Sequence, residues 1–144
     1  MTIKQALKEK NRLIKAIDDE FKKVYSYNSI DENNTRPYSA FASLSNIMVL
    51  EDGLIDIKTK IHKANVVVYD KIFRLSELKS LAKKLNQIDC SEGKVLDRYG
   101  RNTEPSIKIA EISIVERDVR IKMIEEEIES LQEELDNHNA MTSI

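Results

Sequence analysis

Apolar residues recur along much of this chain at alternating steps of three and four, the spacing that lines one face of a helix. Ile3, Leu7, Ile14, Ile17, Phe21 and Val24 form the first such seam, with Lys10 its one polar member, and predict a helix over residues 2–25. Thr2 stands where an N-cap hydroxyl is needed. Residues 26–37 are polar, rich in Asn and Asp and closed by Pro37, and read as a loop. Periodicity resumes over 38–63 as two stripes. Phe41, Leu44, Met48 and Ile55 form one, and Ile47, Leu50, Leu54, Ile57 and Ile61 form the other. A helix apolar on two sides is expected to be central, with a neighbour on each side. Gly53 inside it costs about 1 kcal/mol against alanine, which predicts a kink or a close helix approach there.

The pattern breaks at residues 65–68 and returns over 69–87, where Ile72, Leu75, Leu78, Leu81 and Leu85 make a core stripe. Asp89, Ser91 and Gly93 are turn formers. Residues 94–114 carry the non-helical signal. Positions 106–109 and 111–114 alternate polar and apolar with a change of parity near Ala110, as a bulged strand would, and 94–99 is its expected hairpin partner. The last helix is predicted over 115–137, with Ile121, Ile124, Ile128, Leu131 and Leu135 in heptad spacing and an acidic opposite face. The expected fold is therefore mainly α. It is a single domain over residues 1–144: an antiparallel bundle of about four long helices with a small β-hairpin inserted before the last. Two stripes on the second helix and a heptad seam on the last exceed what one thin bundle hides. A homo-oligomer is expected.

Composition adds limits. A chain of 144 residues with 41% hydrophobic and 33% charged residues, three Gly and two Pro suits long amphipathic helices around one core. A net charge of −2 gives no long-range pull on extended nucleic acid or acidic membranes, so any anion site must be local. Charges every few residues over positions 1–20 do not fit a secretory h-region, and no run approaches the ~18 apolar residues of a membrane span. With Cys90 the single cysteine, a reducing cytoplasmic setting is expected. Abundant Lys, Ile and Asn fit an AT-rich genome such as those of many phages and some bacteria, and a phage-encoded chain would act in the host cytoplasm.

Catalytic constellations are scarce. His62 and His138 stand at helix ends, in no metal-binding spacing, and interaction with helix carbonyls is the expectation for both. Gly53, Gly93 and Gly100 are isolated, so no phosphate loop is present. Asp89 and Glu92 near Cys90 disfavour a nucleophilic thiolate. The acidic run 125–134 reads as a solvated helix face rather than an acid/base pair. No enzyme activity, cofactor or metal is expected. The segment Asp97-Arg98-Tyr99-Gly100-Arg101-Asn102-Thr103 differs, holding two of the chain's seven arginines beside an aromatic ring, with Lys94 and Lys108 nearby. Guanidinium forks suit phosphate or carboxylate, and tyrosine stacks on a base. Two readings stand: an anion or nucleotide pocket, or bridges to the acidic last helix. Asn65 and Asn139 are expected as left-handed helix C-caps, or, with His62, as lining of a shared pocket if the two helices finish at one end.

These elements together resemble the septicolysin-like family, small bacterial helical proteins that form a domain of unknown function. The resemblance rests on the first helix, on Ile61-His62-Lys63-Ala64-Asn65, on Arg98-Tyr99-Gly100-Arg101 before Ile107-Lys108, and on Leu135-Asp136-Asn137-His138-Asn139 followed by Thr142. It spans most of the chain. Family members carry Thr where Ala64 stands and a longer, glycine-containing connection where Val66–Val68 stands, and their loop before the Ile107 position is shorter. The resemblance implies a helical bundle that oligomerises, and it transfers no catalytic residue. The leading expectation is a non-enzymatic oligomeric binder that sequesters a small anionic, nucleotide-like ligand, suited to a viral counter-defence role against an immune nucleotide signal. Its site would draw on Arg98, Tyr99, Arg101, Asn102, Thr103, Lys108, Asn65, His62 and Asn139. A structural or protein-interaction helical module is the alternative, and a membrane-active toxin the third.

Overall fold

A computed structural model describes residues 1–95 and 106–144. Its first helix, α1, spans Ile3–Tyr27 and starts where the sequence places it. The Thr2 hydroxyl accepts from the Gln5 amide at 3.3 Å, and the Gln5 side chain accepts from the Thr2 amide at 2.9 Å. Two N–H groups that a helix start leaves unpaired are thereby satisfied. The buried face is Ile3, Ala6, Leu13 and Ile17, with Leu7, Phe21 and Val24 packed at its edge. Ile14, expected on the seam, is 38% exposed. The inner face is centred toward Leu13, one residue or 100° round the helix, because the second helix lies on that side. At the far end the Arg36 guanidinium donates to the Tyr27 and Asn28 carbonyls at 2.9 and 3.0 Å. The loop that follows contains an Asx turn in which Asp31 accepts from the Asn33 amide.

Helix α2, Ala40–Asn65, is capped by Ser39, whose hydroxyl accepts from the Ala42 amide at 3.1 Å. It packs antiparallel on α1, with Gly53 beside Leu13 and the Ser43 hydroxyl reaching the Glu20 carboxylate. Its two stripes have different fates. Ile47, Leu54, Ile57 and Ile61 are buried against α1, while Phe41, Met48 and Ile55 are 81%, 62% and 60% exposed and Leu44 is 46% exposed. Only one of the two expected neighbours is therefore seen on α2 among the described residues. The helix runs through Gly53 unbroken, and a Cβ there would meet Leu13 methyls at an ordinary 3.9–4.0 Å. The expected close approach is absent.

A 3-10 turn, Val66–Val68, leads directly into α3, Tyr69–Asn86. With no loop between α2 and α3, the expected four helices make three continuous helical stretches. Asn65 has φ −86° and ψ −5°, and no non-glycine residue among those described has positive φ. The left-handed caps expected at Asn65 and Asn139 are thus not formed. Asn65 hands the chain on to another helical turn, and Asn139 lies inside the last helix, α4, which spans Ile114–Met141.

The chain packs as two compact units, Met1–Tyr69 with Asp136–Ile144, and Asp70–Leu135. Within the second, α3 and α4 are antiparallel. Lys71 pairs with Glu134 and Arg74 with Glu127, each at 2.5 Å, and Arg117 donates to the Ile88 carbonyl at 3.1 Å. The α4 heptad seam is inward as expected, with Ile121, Leu131 and Leu135 buried and Ile124 and Ile128 half-buried. On α3 the buried positions are Leu75 and Ala82, and Leu81 is 43% exposed. The mainly helical chain also carries a small antiparallel sheet of β1, Gly93–Val95, and β2, Ser106–Lys108. Gly93 has φ 89°, a conformation that favours glycine. The expected strand over 106–114 stops at Lys108. Alternation over 111–114 instead leads into a helix start, where the Ser113 hydroxyl accepts from the Glu116 amide at 3.1 Å.

Asp89 organises the turn before β1. It accepts from the Ser91 hydroxyl and, at 2.9 Å, from the Ser91 amide, and its other oxygen pairs with Lys108 at 3.3 Å. These bonds, the Ser91 hydroxyl first, lower its carboxyl from 3.8 to about 2. A depressed carboxylate pKa stabilises the fold above the unfolded value and ceases to do so as pH falls through the folded one. The Asp89 carboxyl carbon is therefore expected to titrate near pH 2 by NMR, and a Lys108→Ala variant to titrate at a higher pH. Titration of the wild-type group near 4 would show the turn is not held this way.

Candidate binding site

Arg98, Tyr99, Arg101, Asn102 and Thr103, the leading anion-binding set, lie outside the described residues. Lys108 sits on β2, engaged by Asp89. Cys90 is half-buried, its thiol 3.7 Å from the Ile88 carbonyl. No group of three His, Cys, Asp or Glu among the described residues is arranged to hold a metal ion. No helix there is long and apolar enough to cross a membrane.

The two histidines contact hydroxyls, where interaction with helix carbonyls was expected. One turn and a 3-10 segment after His62, the Tyr69 hydroxyl meets its Nδ1, with ring centroids 5.4 Å apart. On α4, His138 Nδ1 and the Thr142 hydroxyl are 3.1 Å apart, one helical turn along. Sequence reading missed both pairs as pairs. Their signal was the spacing: His and Thr at i and i+4 share a helix face, and seven residues separate His62 from Tyr69.

Backbone pairing brings these elements to one end of the first unit. The Ile3 amide donates to the Thr142 carbonyl at 3.0 Å, the Ile144 amide donates to Met1 at 2.9 Å, and Thr2 bridges to Ser143. Because α1 and α2 are antiparallel, the start of α1 lies beside the end of α2. Asn65 and His138 therefore belong to the same end, as a shared site requires. Asn139, half-buried, adjoins His138 on α4.

Two buried polar atoms at this end have no partner among the described residues: Asn65 Oδ1 and His138 Nε2. Leaving such a group unpaired costs about 1–3 kcal/mol, so each has hydrogen-bonding capacity in reserve. Asn65 Oδ1 can only accept. When the Thr142 hydroxyl donates to His138 Nδ1, Nε2 carries the proton and can only donate. One acceptor and one donor suit a ribose hydroxyl or the edge of a nucleobase, which offer both. They suit a bare phosphate poorly. A cleft of about 290 Å³ that also borders Met1 and Ile144 is lined by Glu9, Leu13, Gly53, Asp56 and Lys60 among others. Its charges are engaged within the chain, Lys60 with Asp56 at 2.7 Å and Glu9 with Arg12 at 2.5 Å, and its wall is largely apolar. The polar end is the stronger site. Comparison of the chain with family models, with curated proteins and with solved structures finds no match.

Proposed function

We propose that this chain is a non-enzymatic binding protein, working as a homo-oligomer, that holds a small anionic, nucleotide-like ligand without converting it. The observation that carries this reading is the pair of unpartnered buried atoms, Asn65 Oδ1 and His138 Nε2, at one end of the first unit. Buried polar groups without partners are rare in folded chains and ask for a reason, of which a ligand or ordered water is the usual one. The donor–acceptor pair matches the sugar or base of a nucleotide. The Arg98-Tyr99-Gly100-Arg101 run of the sequence, whose guanidinium forks suit phosphate, is a separate lead toward an anionic ligand. Resemblance to the septicolysin-like family supports the oligomer. Sequestration of an immune nucleotide signal in a host cytoplasm fits a binder that needs no reaction centre.

The test is calorimetric titration against a nucleotide panel that includes cyclic forms, with mass spectrometry of whatever heating releases from the purified protein. An unmodified nucleotide is expected. Asn65→Ala is expected to weaken binding about tenfold, the equivalent of one lost hydrogen bond to a buried group. A converted nucleotide, no bound nucleotide, or an Asn65→Ala variant of full affinity would overturn the reading. A second reading, an assembly or protein-interaction module with no small-molecule ligand, is favoured by the exposed apolar stripe of α2. It predicts a full-size oligomer that binds no member of the panel.

A further inference from the structure

The exposed stripe of α2 carries a more specific inference. In a chain of which 33% is charged, residues 37–50 include no charged side chain at all. Phe41 at 81%, Leu44 at 46% and Met48 at 62% exposure lie in this stretch, and Ile55 at 60% lies one heptad beyond Met48, past Glu51 and Asp52. Leaving so contiguous an apolar surface in water is costly at about 25 cal/mol per Å², and patches of this kind mark interaction sites. On α4, Val115, Val119 and Met123 are also exposed, but they are interleaved with Glu116, Asp118, Arg120 and Lys122. The α2 seam is the one without charges among its near neighbours on the N-terminal side.

We infer that this seam docks on the same seam of a second copy of the chain, antiparallel, about a two-fold axis near Met48. The charge pattern argues for a copy and for that direction. The first half of α2 is uncharged, whereas the second half carries Glu51, Asp52, Asp56, Lys58, Lys60 and Lys63. Antiparallel pairing about Met48 lays Glu51, Asp52 and Asp56 along the uncharged residues 40–45 of the second copy, so these carboxylates face no like charge, and Phe41 meets Ile55; Lys58, Lys60 and Lys63 fall beyond the first residue of the second copy's α2. Parallel pairing would set Glu51 against Glu51 and Lys58 against Lys58. A two-fold contact needs a patch complementary to itself, and this one is. The pair would be a four-helix arrangement of two α1/α2 units with α2 inside, which supplies the second neighbour that its two stripes require.

The inference rests on the oligomeric half of the proposed function and is separable from the ligand. Molar mass by light scattering is expected to show a dimer or a multiple of one, and Met48→Arg to halve that mass while the helical circular dichroism is unchanged, since Met48 is already exposed. Met123→Arg on α4 serves as the matched control and is expected to leave the mass unaltered. A Met48→Cys variant in a Cys90→Ser background should cross-link to its own copy with a short bis-maleimide, and Val67→Cys should not. A monomeric wild-type chain would overturn the inference and point to cover by another part of the same chain or by a different protein. An oligomer that survives Met48→Arg and fails to cross-link at position 48 would place the contact elsewhere and overturn it too. A dimer that binds no nucleotide would sink only the ligand reading, and a monomer that binds one would sink only the seam.

Discussion

Truncating Ile47 to alanine is expected to remove about 3 kcal/mol from the stability of the first unit, within the 2–5 kcal/mol typical of such core deletions. Ile47 is 2% exposed and belongs to the cluster that joins α1 to α2, with Leu13, Ile17, Leu54 and Ile57. Deleting three carbons there loses their transfer energy and leaves a cavity between two helices that have few other layers to close it. Against a total of about 5–15 kcal/mol for an ordinary domain, that loss is severe. Urea unfolding followed by circular dichroism measures it as a lowered midpoint with little change in slope. Phe41→Ala on the same helix is the contrast. Its ring is 81% exposed, so at concentrations where the chain is monomeric the cost is expected to stay below about 0.5 kcal/mol. Equal losses from the two variants would mean that the inward stripe of α2 has been misassigned.

Ile3→Ala is expected to cost a similar amount, about 3 kcal/mol, with a different local signature. Ile3 is fully buried, and its own amide holds the Thr142 carbonyl, while Ile144 packs against the same cluster and its amide holds Met1. The side chain therefore anchors the first turn of α1 and the last residues of the chain together. In the variant, hydrogen exchange at the Ile3 and Ile144 amides should speed up more than exchange in the middle of α2. Because His138 and Thr142 lie on this tail, the proposed nucleotide binding is expected to weaken with it. Uniform loss of protection along the whole unit would show that the two ends are not a separable structural element.

Much of this behaviour is written in local spacing. The helix start at Thr2, the inward heptad of Ile121, Leu131 and Leu135, and a small hairpin before the last helix follow from caps, periodicity and turn formers that act within a few residues. Three features did not follow. The alternation at 111–114 matches a strand pattern, but Ser113 offers a helix cap, and capping with 28 residues of helix behind it outweighs one more short stretch of ladder. Asn65 carries a left-handed preference that goes unused, because the backbone continues into a 3-10 turn and then α3. Ile14 fits the seam of α1 by spacing as well as Leu13 does, and the choice fell to the position of the neighbouring helix.

The candidate site divides along the same line. His62, Asn65 and Asn139 stood out in the sequence as polar groups near helix ends, whereas His138 became prominent only when the tail was seen to pair with the start of α1. The sequence alone determined that this chain makes long amphipathic helices and that the second of them carries two apolar stripes, since each depends on residue type and spacing. Tertiary structure alone decided which stripe of α2 turns inward, that Asn65 and His138 share one end, and that Asn65 Oδ1 and His138 Nε2 there have no partner among the described residues. The physical reason is that a helix periodicity specifies faces but not partners. Which face is covered, and which polar atom loses its water, depends on elements distant in sequence that meet only in the fold.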